Sequence, residues 1–267
     1  MKLTVLTDNH TTIDRYYLGE PAVSYYLEDG DRRILLDTGY SDVYAKNAAA
    51  LGIDLTQVDA IVLSHSHNDH TGGLRHFPVQ DGSVALYAHP EVFAPRRCDG
   101  LDVGSPMTLE EAAARFDLHL TRTPEAVSDH LTFLGEIPRI SAFESRHPVG
   151  ERLTPEGWVP DFLPDDSALV YRGPEAISLI TGCSHSGVCN LLAQAKAVTG
   201  CRRIQGLIGG LHLFDEDVEQ TEKTAEFLAI EGVRQLYPCH CTSFAARVIL
   251  NRKLPVQEVG VGLTITF

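Results

Sequence analysis

The chain has 267 residues, of which 43% are hydrophobic and 22% are charged, and this ordinary composition argues against a disordered or low-complexity protein. Its 36 acidic residues outnumber its 22 Lys and Arg residues, and the resulting net charge of -14 disfavours binding to nucleic acid or to anionic membrane surfaces. The first residues carry no apolar signal segment, no run approaches the ~20 apolar residues that span a bilayer, and the six cysteines are scattered, so we predict a cytoplasmic location.

Strand and helix patterns alternate along the whole chain. A helical pattern covers Val218–Glu231, and Thr108 with Glu111 forms a capping box before Ala112–Phe116. We expect the Gly- and Pro-rich region Arg96–Pro164 to include loops near the mouth of an active site. We interpret the pattern as an α/β architecture and expect one domain over residues 1–267. Apolar runs rich in β-branched residues predict strands at Leu3–Leu6, Val23–Leu27, Ile34–Leu36, Ala60–Leu63, Val84–Tyr87, Ala168–Tyr171, Ile177–Ile180, Ile204–Ile208, Gln235–Tyr237 and Leu263–Phe267.

The most informative segment follows the apolar run that begins at Ala60. It holds four potential metal ligands within six residues, His65, His67, Asp69 and His70, which we call the HxHxDH loop. Residues two apart in extended backbone face the same side, so the first two histidines can reach one ion together. The chain must then turn, and Gly72 and Gly73 permit a close approach of backbone there.

The residue types in this loop point to metal chemistry. Imidazole and carboxylate are the ligands of zinc, and also of iron or manganese. Four such groups exceed what one tetrahedral catalytic site takes from a single loop. We therefore predict two adjacent divalent ions, zinc being favoured over iron and manganese. The alternative, a polar histidine-rich loop without metal, fits poorly with the buried strand before it and the glycines after it.

The HxHxDH loop after an apolar strand resembles the signature of the metallo-β-lactamase superfamily, and Leu36-Asp37-Thr38-Gly39 matches an early motif of the same superfamily. The resemblance implies an αββα four-layer sandwich with metals at one edge of two packed sheets. It also implies that the first two histidines bind one ion and that Asp69 and His70 bind the other. We predict that Asp37 accepts a hydrogen bond from a ligating imidazole.

Further motifs are similar to the branch named for the dihydropterin phosphate synthase of methanopterin biosynthesis, and this similarity runs from about Leu3 to Phe267. The motifs are Gly135-Glu136-Ile137-Pro138-Arg139, Asp165-Asp166-x-Ala168-Leu169, Thr181-Gly182-Cys183-Ser184-His185, Gly209-Gly210-Leu211-His212-Leu213 and Tyr237-Pro238-Cys239-His240-Cys241-Thr242.

Three histidines of the second half stand directly after predicted strands. Because sites in α/β proteins lie at the carboxyl ends of strands, we predict that His185 completes the first metal position and His240 the second. His212 is either a ligand or a residue that gives a proton or a hydrogen bond to substrate. For each of the three, the alternative is a histidine whose hydrogen bonds are satisfied inside the core.

The cysteines near these histidines leave alternatives open. Many superfamily members have an aspartate that bridges both metals after the Thr-Gly pair, where this chain has Cys183. The bridge is then absent or replaced by Asp165 or Asp166, and we favour a buried structural thiol over a metal ligand for Cys183. We expect Cys239 and Cys241 to pack behind their loop while the histidine between them points forward.

The function predicted from these residues is that of a metal-dependent hydrolase, in which a metal-activated hydroxide attacks an ester, a lactone or a phosphoester-type small molecule. The predicted catalytic residues are Asp69, which orients the water, and His212, which protonates the leaving oxygen. The alternatives are a synthase-type transferase that joins a dihydropterin to a ribosyl-aminobenzene phosphate, and a non-catalytic ligand sensor. A di-iron redox enzyme ranks lower because the chain has no room for the usual flavin domain. Arg97, Arg139 and Arg146 are candidate anion clamps, but each could equally be a surface residue, and none is assigned to the site.

Overall fold

Two β-sheets packed face to face form the centre of the computed structural model, which describes residues 1–79, 81–216 and 218–267. The strands are β1 (Lys2–Thr7), β2 (Ser24–Asp29), β3 (Arg32–Leu36), β4 (Ala60–Val62), β5 (Ala85–Ala88), β6 (Arg96–Cys98), β7 (Leu101–Asp102), β8 (Asp117–Leu120), β9 (Glu125–Ala126), β10 (Leu131–Phe133), β11 (Glu151–Thr154), β12 (Gly157–Pro160), β13 (Ala168–Arg172), β14 (Ile177–Thr181), β15 (Ile204–Gly209), β16 (Gln235–Pro238) and β17 (Thr264–Thr266). The helices are α1 (Val43–Ala50), α2 (Asn68–Thr71), α3 (Leu109–Ala113), α4 (Val188–Thr199), α5 (Val218–Ile230) and α6 (Phe244–Asn251), with 3-10 turns at Leu55–Gln57 and Gly72–His76.

The first sheet has the strand order β17-β1-β2-β3-β4-β5-β8 and the second has the order β16-β15-β14-β13-β10-β9. A smaller third sheet has the order β12-β11-β6-β7. Strands β3, β4, β5 and β8 pair in parallel, and so do β14, β15 and β16. Each set of parallel strands therefore ends at one edge of its sheet.

Three apolar clusters divide the molecule into layers. Between the two large sheets lie residues such as Val5, Phe133 and Ile180. Outside the first sheet, Tyr44 of α1 packs in a second cluster. Outside the second sheet, Leu191 of α4 packs in a third, together with residues of α5 and α6. The predicted αββα four-layer sandwich is confirmed, and the strands read as continuous apolar runs because both faces of each large sheet are covered.

Each of the predicted strands is present, with ends that differ by one or two residues. The predicted helix over Val218–Glu231 is α5, and Thr108 and Glu111 form the predicted capping box at the start of α3. Among the described residues no helix combines the length and the apolar composition that crossing a membrane requires.

The region Arg96–Pro164, which was predicted to include loops, contains loops and also regular secondary structure that the sequence did not indicate. It contains β6 to β12 and α3, including all four strands of the third sheet. These strands have two to four residues each and are largely half-exposed, so they lack the long apolar runs that mark a strand in sequence. Pairing of Glu151 with Arg97 and of Arg152 with Arg96 joins segments that are distant along the chain.

The glycines after the HxHxDH loop lie against a neighbouring loop. A side chain at Gly72 would overlap the backbone carbonyl of Tyr40, and one at Gly73 would overlap that of Thr38. Neither glycine has a positive φ, so contact with backbone explains them better than special dihedrals. The predicted close approach is confirmed, and it fixes the distance between the HxHxDH loop and the segment after β3.

Replacing Gly73 by Ala should destabilise the protein by about 1–3 kcal/mol, because the added methyl group forces backbone apart in a packed region. A lower urea midpoint with an unchanged slope would show this effect. Gly173→Ala is a milder control, since the nearest atom to its new methyl group, the Ala176 carbonyl oxygen, would lie 3.1 Å away. Equal midpoints for the two variants would contradict the packing argument.

Candidate metal centre

The HxHxDH loop begins where β4 ends and is held by hydrogen bonds to its backbone. The Ser64 amide donates to Asp37 Oδ1 over 2.7 Å, and the Ser66 amide donates to Asp165 Oδ2 over 2.9 Å. The Thr71 hydroxyl donates to the His67 carbonyl oxygen at 3.0 Å. These contacts turn the chain sharply into α2 and direct the loop's side chains to the same side.

The six residues predicted as metal ligands come together as two groups. In each group, one nitrogen or oxygen atom per residue lies within 4.8 Å of the others. His65 Nε2 is 3.2 Å from His67 Nδ1, and Asp69 Oδ2 is 3.2 Å from His240 Nε2. The first group is His65, His67 and His185, and the second is Asp69, His70 and His240.

The two groups are neighbours. The ring centroids of His65 and His70 are 4.1 Å apart, and that pair joins the first group to the second. This division matches the one that the sequence analysis predicted, although metal binding by the six residues stays a prediction.

One buried carboxylate orients an imidazole in each group. His70 Nδ1 donates to Asp37 Oδ2 at 2.7 Å, and the Ser64 hydroxyl donates to the same oxygen at 2.7 Å. The Ser64 oxygen in turn lies 3.0 Å from His65 Nδ1, from which it accepts. Because the Nδ1 atoms are turned towards these oxygens, the Nε2 atoms of both rings face the centre of the site, where each ring in its neutral form could bind an ion. The hydrogen bond predicted for Asp37 is confirmed.

The segment after β1 orients the histidine that β16 supplies. Asn9 Oδ1 lies 3.1 Å from His240 Nδ1, and the His240 amide donates to Asp8 Oδ2 at 3.1 Å. Neither Asp8 nor Asn9 was predicted to belong to the site. Their position directly after an apolar strand was the available signal, because it places them at the edge where the other strands also end.

Residues in left-handed conformations mark the strand ends of the second sheet. Ser184 has φ 60°, His212 has φ 48° and His240 has φ 49°. Residues other than glycine rarely adopt this conformation, and such outliers cluster at functional sites. The Ser184 hydroxyl donates to the Gly210 carbonyl oxygen at 2.8 Å, which ties the loop after β14 to the loop after β15. The sequence alone contained no sign of this strain.

Burial and neighbouring charges shift the pKa values in the two groups in opposite directions. Burial holds the pKa of His65 and of His185 well below 6.5 and lowers the pKa of His67 to about 3. Burial also disfavours charge on His70, but the carboxylates of Asp69 and Asp37 outweigh it and raise the pKa of that ring to about 9. The first group is thus a set of neutral imidazoles at neutral pH.

The atoms of the first group fit a cation. His67 Nε2 and both ring nitrogens of His185 are buried and have no hydrogen-bond partner among the described residues. Leaving such polar atoms unsatisfied is costly, and a bound ion would satisfy them. Neutral imidazoles are ligands that divalent zinc, iron and manganese accept, and the second group adds the carboxylate of Asp69. The residues therefore fit the predicted metal centre.

His212 lies beside the first group. Its ring centroid is 4.2 Å from that of His185, and its amide donates to Cys241 Sγ at 3.3 Å. His212 belongs to none of the candidate ligand groups that the described residues form. This position favours the substrate-side role over the ligand role.

The cysteines differ in their surroundings. Cys239 Sγ lies 3.0 Å from Tyr25 Oη inside the apolar layer between the sheets, as predicted. The same prediction is wrong for Cys241, which joins Cys183 and His240 in a third candidate ligand group. Residues two apart in an extended segment would face the same side, but the left-handed His240 between these cysteines breaks the pattern and turns the second one towards the site. Cys183 is buried, as predicted, and lies 3.2 Å from His70 Nε2.

The carboxylates considered as a replacement bridge are engaged elsewhere. Asp165 pairs with the buried Arg96 at 2.6 Å, and Asp166 Oδ2 accepts from the Ser186 amide at 2.8 Å. Neither belongs to a candidate ligand group of the described residues. Arg96 also pairs with Asp161 at 2.7 Å, so this buried ion pair joins the third sheet to the HxHxDH loop.

A cavity of about 240 Å³ adjoins the first group and is lined by His185, His212, Phe162, Phe214 and Arg146 among others. Another cavity, of about 560 Å³, touches Asn68 and Gly72 but none of the six predicted ligands. We take the smaller cavity as the substrate space because it alone of these two meets the candidate ligands.

The three arginines considered as anion clamps differ in their contacts. Arg97 pairs with Glu151 at 2.8 Å and stacks on Trp158, and Arg139 donates to the carbonyl oxygens of two residues near the end of the third sheet. Arg146 lines the cavity beside His185. Of the three, Arg146 is the one placed to meet a substrate.

Acid should destabilise the metal-free protein. The depressed pKa values of His65, His67 and His185 stabilise the folded state above about pH 6.5, and this contribution is lost as the pH falls, because the unfolded chain then binds more protons. Each such imidazole lowers the free energy of unfolding by about 1.4 kcal/mol for each pH unit below about 6.5. At about pH 5 the loss is therefore up to about 2 kcal/mol. His70 acts oppositely, since its raised pKa stabilises the fold below about pH 6.5 and that contribution is lost towards about pH 9.

Urea midpoints of chelator-treated protein should therefore fall between about pH 7.5 and about pH 5.5. His67→Gln should flatten this slope, whereas the control His76→Gln, at an exposed position, should leave it unchanged. A midpoint that is constant or rises on acidification would contradict the assignment of neutral imidazoles.

Comparison with known proteins agrees with this geometry. The family model of the metallo-beta-lactamase superfamily matches residues 18–240. The chain is 27% identical over 263 residues to the 7,8-dihydropterin-6-methyl-4-(beta-D-ribofuranosyl)-aminobenzene-5'-phosphate synthase of Methanocaldococcus jannaschii, with 92% of this chain and 89% of that protein covered.

Among solved structures, one described as a metal-dependent hydrolase of the beta-lactamase superfamily superposes with a TM-score of 0.87 at 28% identity, covering 100% of this chain and 99% of that one. Zinc-bound PqqB from Methylobacterium extorquens shares the fold, with a TM-score of 0.57 at 12% identity and full coverage of both chains. Proteins of this superfamily typically bind divalent metals, and the candidate ligand groups fit that property. The chain belongs to the metallo-beta-lactamase superfamily.

Proposed function

We propose that this protein is a metal-dependent hydrolase of small molecules. The observation that carries the proposal is the pair of adjacent ligand groups, His65, His67 and His185 beside Asp69, His70 and His240, at the wall of a cavity. The likeness to a protein described as a metal-dependent hydrolase supports the same conclusion.

The six residues of the two groups would hold two divalent ions, with zinc favoured over iron and manganese. Bound ions supply an activated water and polarise the bond that is cleaved. Asp69 would hold and orient the attacking water, because its carboxylate is half-exposed while its neighbours His70 and His240 are buried. Neighbouring histidines, His70 and His240 among them, outweigh burial and lower the pKa of Asp69, so it stays ionised at neutral pH.

The cavity suggests the size and chemistry of the substrate. A volume of about 240 Å³ fits a compact small molecule or one part of a larger one. Phe162 and Phe214 offer apolar walls, and Arg146 offers a positive charge. An ester, a lactone or a phosphoester with an acidic group fits this lining, because guanidinium pairs well with carboxylate or phosphate.

The direct test is an assay of the zinc-loaded protein against carboxylic esters, lactones and phosphoesters. We expect turnover in one of these classes, its loss on treatment with a chelator and its return with zinc. Asp69→Ala should lower kcat by on the order of 10²–10⁴-fold or more while the protein stays folded. Circular dichroism and bound metal should be measured on the same samples.

Asp31→Ala is the matched control, since Asp31 is an exposed carboxylate in the hairpin between β2 and β3. It should retain full turnover. Substantial activity in the Asp69 variant, or turnover that survives removal of metal, would overturn the proposal.

His212 is proposed as the residue that protonates the departing oxygen. His212→Gln should lower kcat by on the order of 10²–10⁴-fold and leave bound metal unchanged. The falling limb of the pH–rate profile at high pH should also disappear, because that limb reports the acid form of the donor. Loss of one metal equivalent in this variant would instead identify His212 as a ligand.

A second candidate function is a synthase-type transfer. It is favoured by the similarity to the aminobenzene-phosphate synthase, which covers nearly the whole of both chains. Assays of a dihydropterin diphosphate with a ribosyl-aminobenzene phosphate, run beside the hydrolysis assays, separate the two functions. Product that contains both substrates, with no turnover of the simple esters, would establish the transferase.

A further inference from the structure

Two thiols face the candidate metal centre. Cys183 Sγ lies 3.2 Å from His70 Nε2. Cys241 Sγ lies 3.6 Å from the Cys183 carbonyl oxygen and accepts from the His212 amide at 3.3 Å. Both cysteines are free, and no disulfide joins them. They come from loops after different strands, β14 and β16, so the fold and not their spacing in sequence brings them together.

The sulfur atoms occupy positions that metal ligands take. The ligand atoms of Cys183, His240 and Cys241 all lie within 4.8 Å of one another, and so do those of His65, His70 and Cys183. Cys183 is therefore shared between a group that contains a first-position histidine and a group that contains a second-position histidine. Its sulfur is therefore within reach of residues proposed for both metal positions.

The positive charge of two ions would need more negative charge than one carboxylate supplies. Two divalent ions would bring four positive charges into a largely buried site, yet Asp69 is the one carboxylate in the candidate ligand groups of the described residues. Uncompensated buried charge is costly. Asp165 pairs with Arg96, Asp166 Oδ2 accepts from the Ser186 amide, and neither aspartate belongs to a candidate ligand group of the described residues. The thiols of Cys183 and Cys241 are the other side chains of the candidate ligand groups that would supply negative charge, because a thiol that binds a metal ion loses its proton.

Cys239 provides an internal comparison. It is buried as fully as Cys183, but it contacts Tyr25 in the apolar layer and belongs to no candidate ligand group of the described residues. Burial alone therefore does not explain why two other thiols point at histidine nitrogens and at each other.

We propose that Cys183 and Cys241 are thiolate ligands of the second metal position, which they share with His240, and that Cys183 borders both ions. This inference rests on the proposed metal-dependent function and defines the centre further. A sulfur-containing position selects zinc and other thiophilic ions and rejects magnesium and manganese, whose preferred ligands are oxygen atoms.

X-ray absorption at the zinc edge of the zinc-loaded full-length protein tests the inference directly. We expect a sulfur shell at about 2.3 Å in addition to nitrogen and oxygen at about 2.0–2.1 Å. The cobalt-loaded protein should show a sulfur-to-cobalt charge-transfer absorption in the near ultraviolet. Neither readout depends on enzymatic activity.

Cysteine variants assign the sulfur atoms. Cys183→Ser and Cys241→Ser should each reduce the sulfur shell, the double variant should abolish it, and zinc affinity should fall by about 10-fold or more in each. Cys201→Ser is the matched control, because that half-buried thiol lies in the loop between α4 and β15 and should leave the shell unchanged.

The outcomes separate the two proposals. Zinc bound through nitrogen and oxygen alone in the wild-type protein would overturn the thiolate inference and leave the proposed hydrolase standing. A sulfur shell that persists in the double variant would also overturn it. Failure of the wild-type protein to bind any divalent ion would overturn the thiolate inference and the metal-dependent function together. Because the first measurement uses wild-type protein, a variant that does not fold leaves the test intact.

Discussion

The buried carboxylate of Asp37 is the contact on which the geometry of the candidate metal centre depends. It accepts hydrogen bonds from the Ser64 amide, the Ser64 hydroxyl and His70 Nδ1, each at 2.7 Å. One residue therefore fixes the start of the HxHxDH loop, the ring orientation of His70 and, through the Ser64 hydroxyl, that of His65. Asp37 itself has φ 57°, so its backbone is held in a conformation that residues other than glycine rarely adopt. A carboxylate that oriented only one histidine would leave the two ligand groups free to move relative to each other.

Other residues around the centre also fix the orientation of a ligand or of its loop by hydrogen bonds. Asn9 orients His240, Asp165 holds the Ser66 amide, and Arg96 holds Asp165. Each left-handed residue near the site costs of order 1–3 kcal/mol in backbone strain. Such a cost persists only where surrounding contacts determine the conformation. The supporting residues come from both large sheets and from the third sheet, so the site draws on nearly every layer of the fold.

The electrostatic design separates the two ligand groups. The first group consists of neutral imidazoles whose low pKa values follow from burial, while the second contains an ionised carboxylate beside a histidine of raised pKa. Neutral imidazoles are ready to bind a cation without first losing a proton. If Cys183 and Cys241 bind as thiolates in the second group, most of the negative charge of the centre lies in that group, with Asp69. The cavity beside His185 then adjoins the first group, which consists of neutral imidazoles.

Local residues alone determined the strands, the HxHxDH loop and the histidines at the strand ends, and the resemblance to the superfamily supplied the division of the loop's ligands between two ions. Apolar periodicity and the spacing of histidines are properties of short segments, and parallel strands bring their carboxyl ends to one edge whatever their partners are. Only the tertiary structure decided which way Cys241 points, which carboxylates are free, and that the Arg96–Pro164 region forms a sheet. Those outcomes depend on a left-handed backbone at His240, on the buried pairing of Arg96 with two aspartates, and on strands too short and too exposed to leave a pattern. Such contacts join residues far apart along the chain, and their energies arise only when the layers pack.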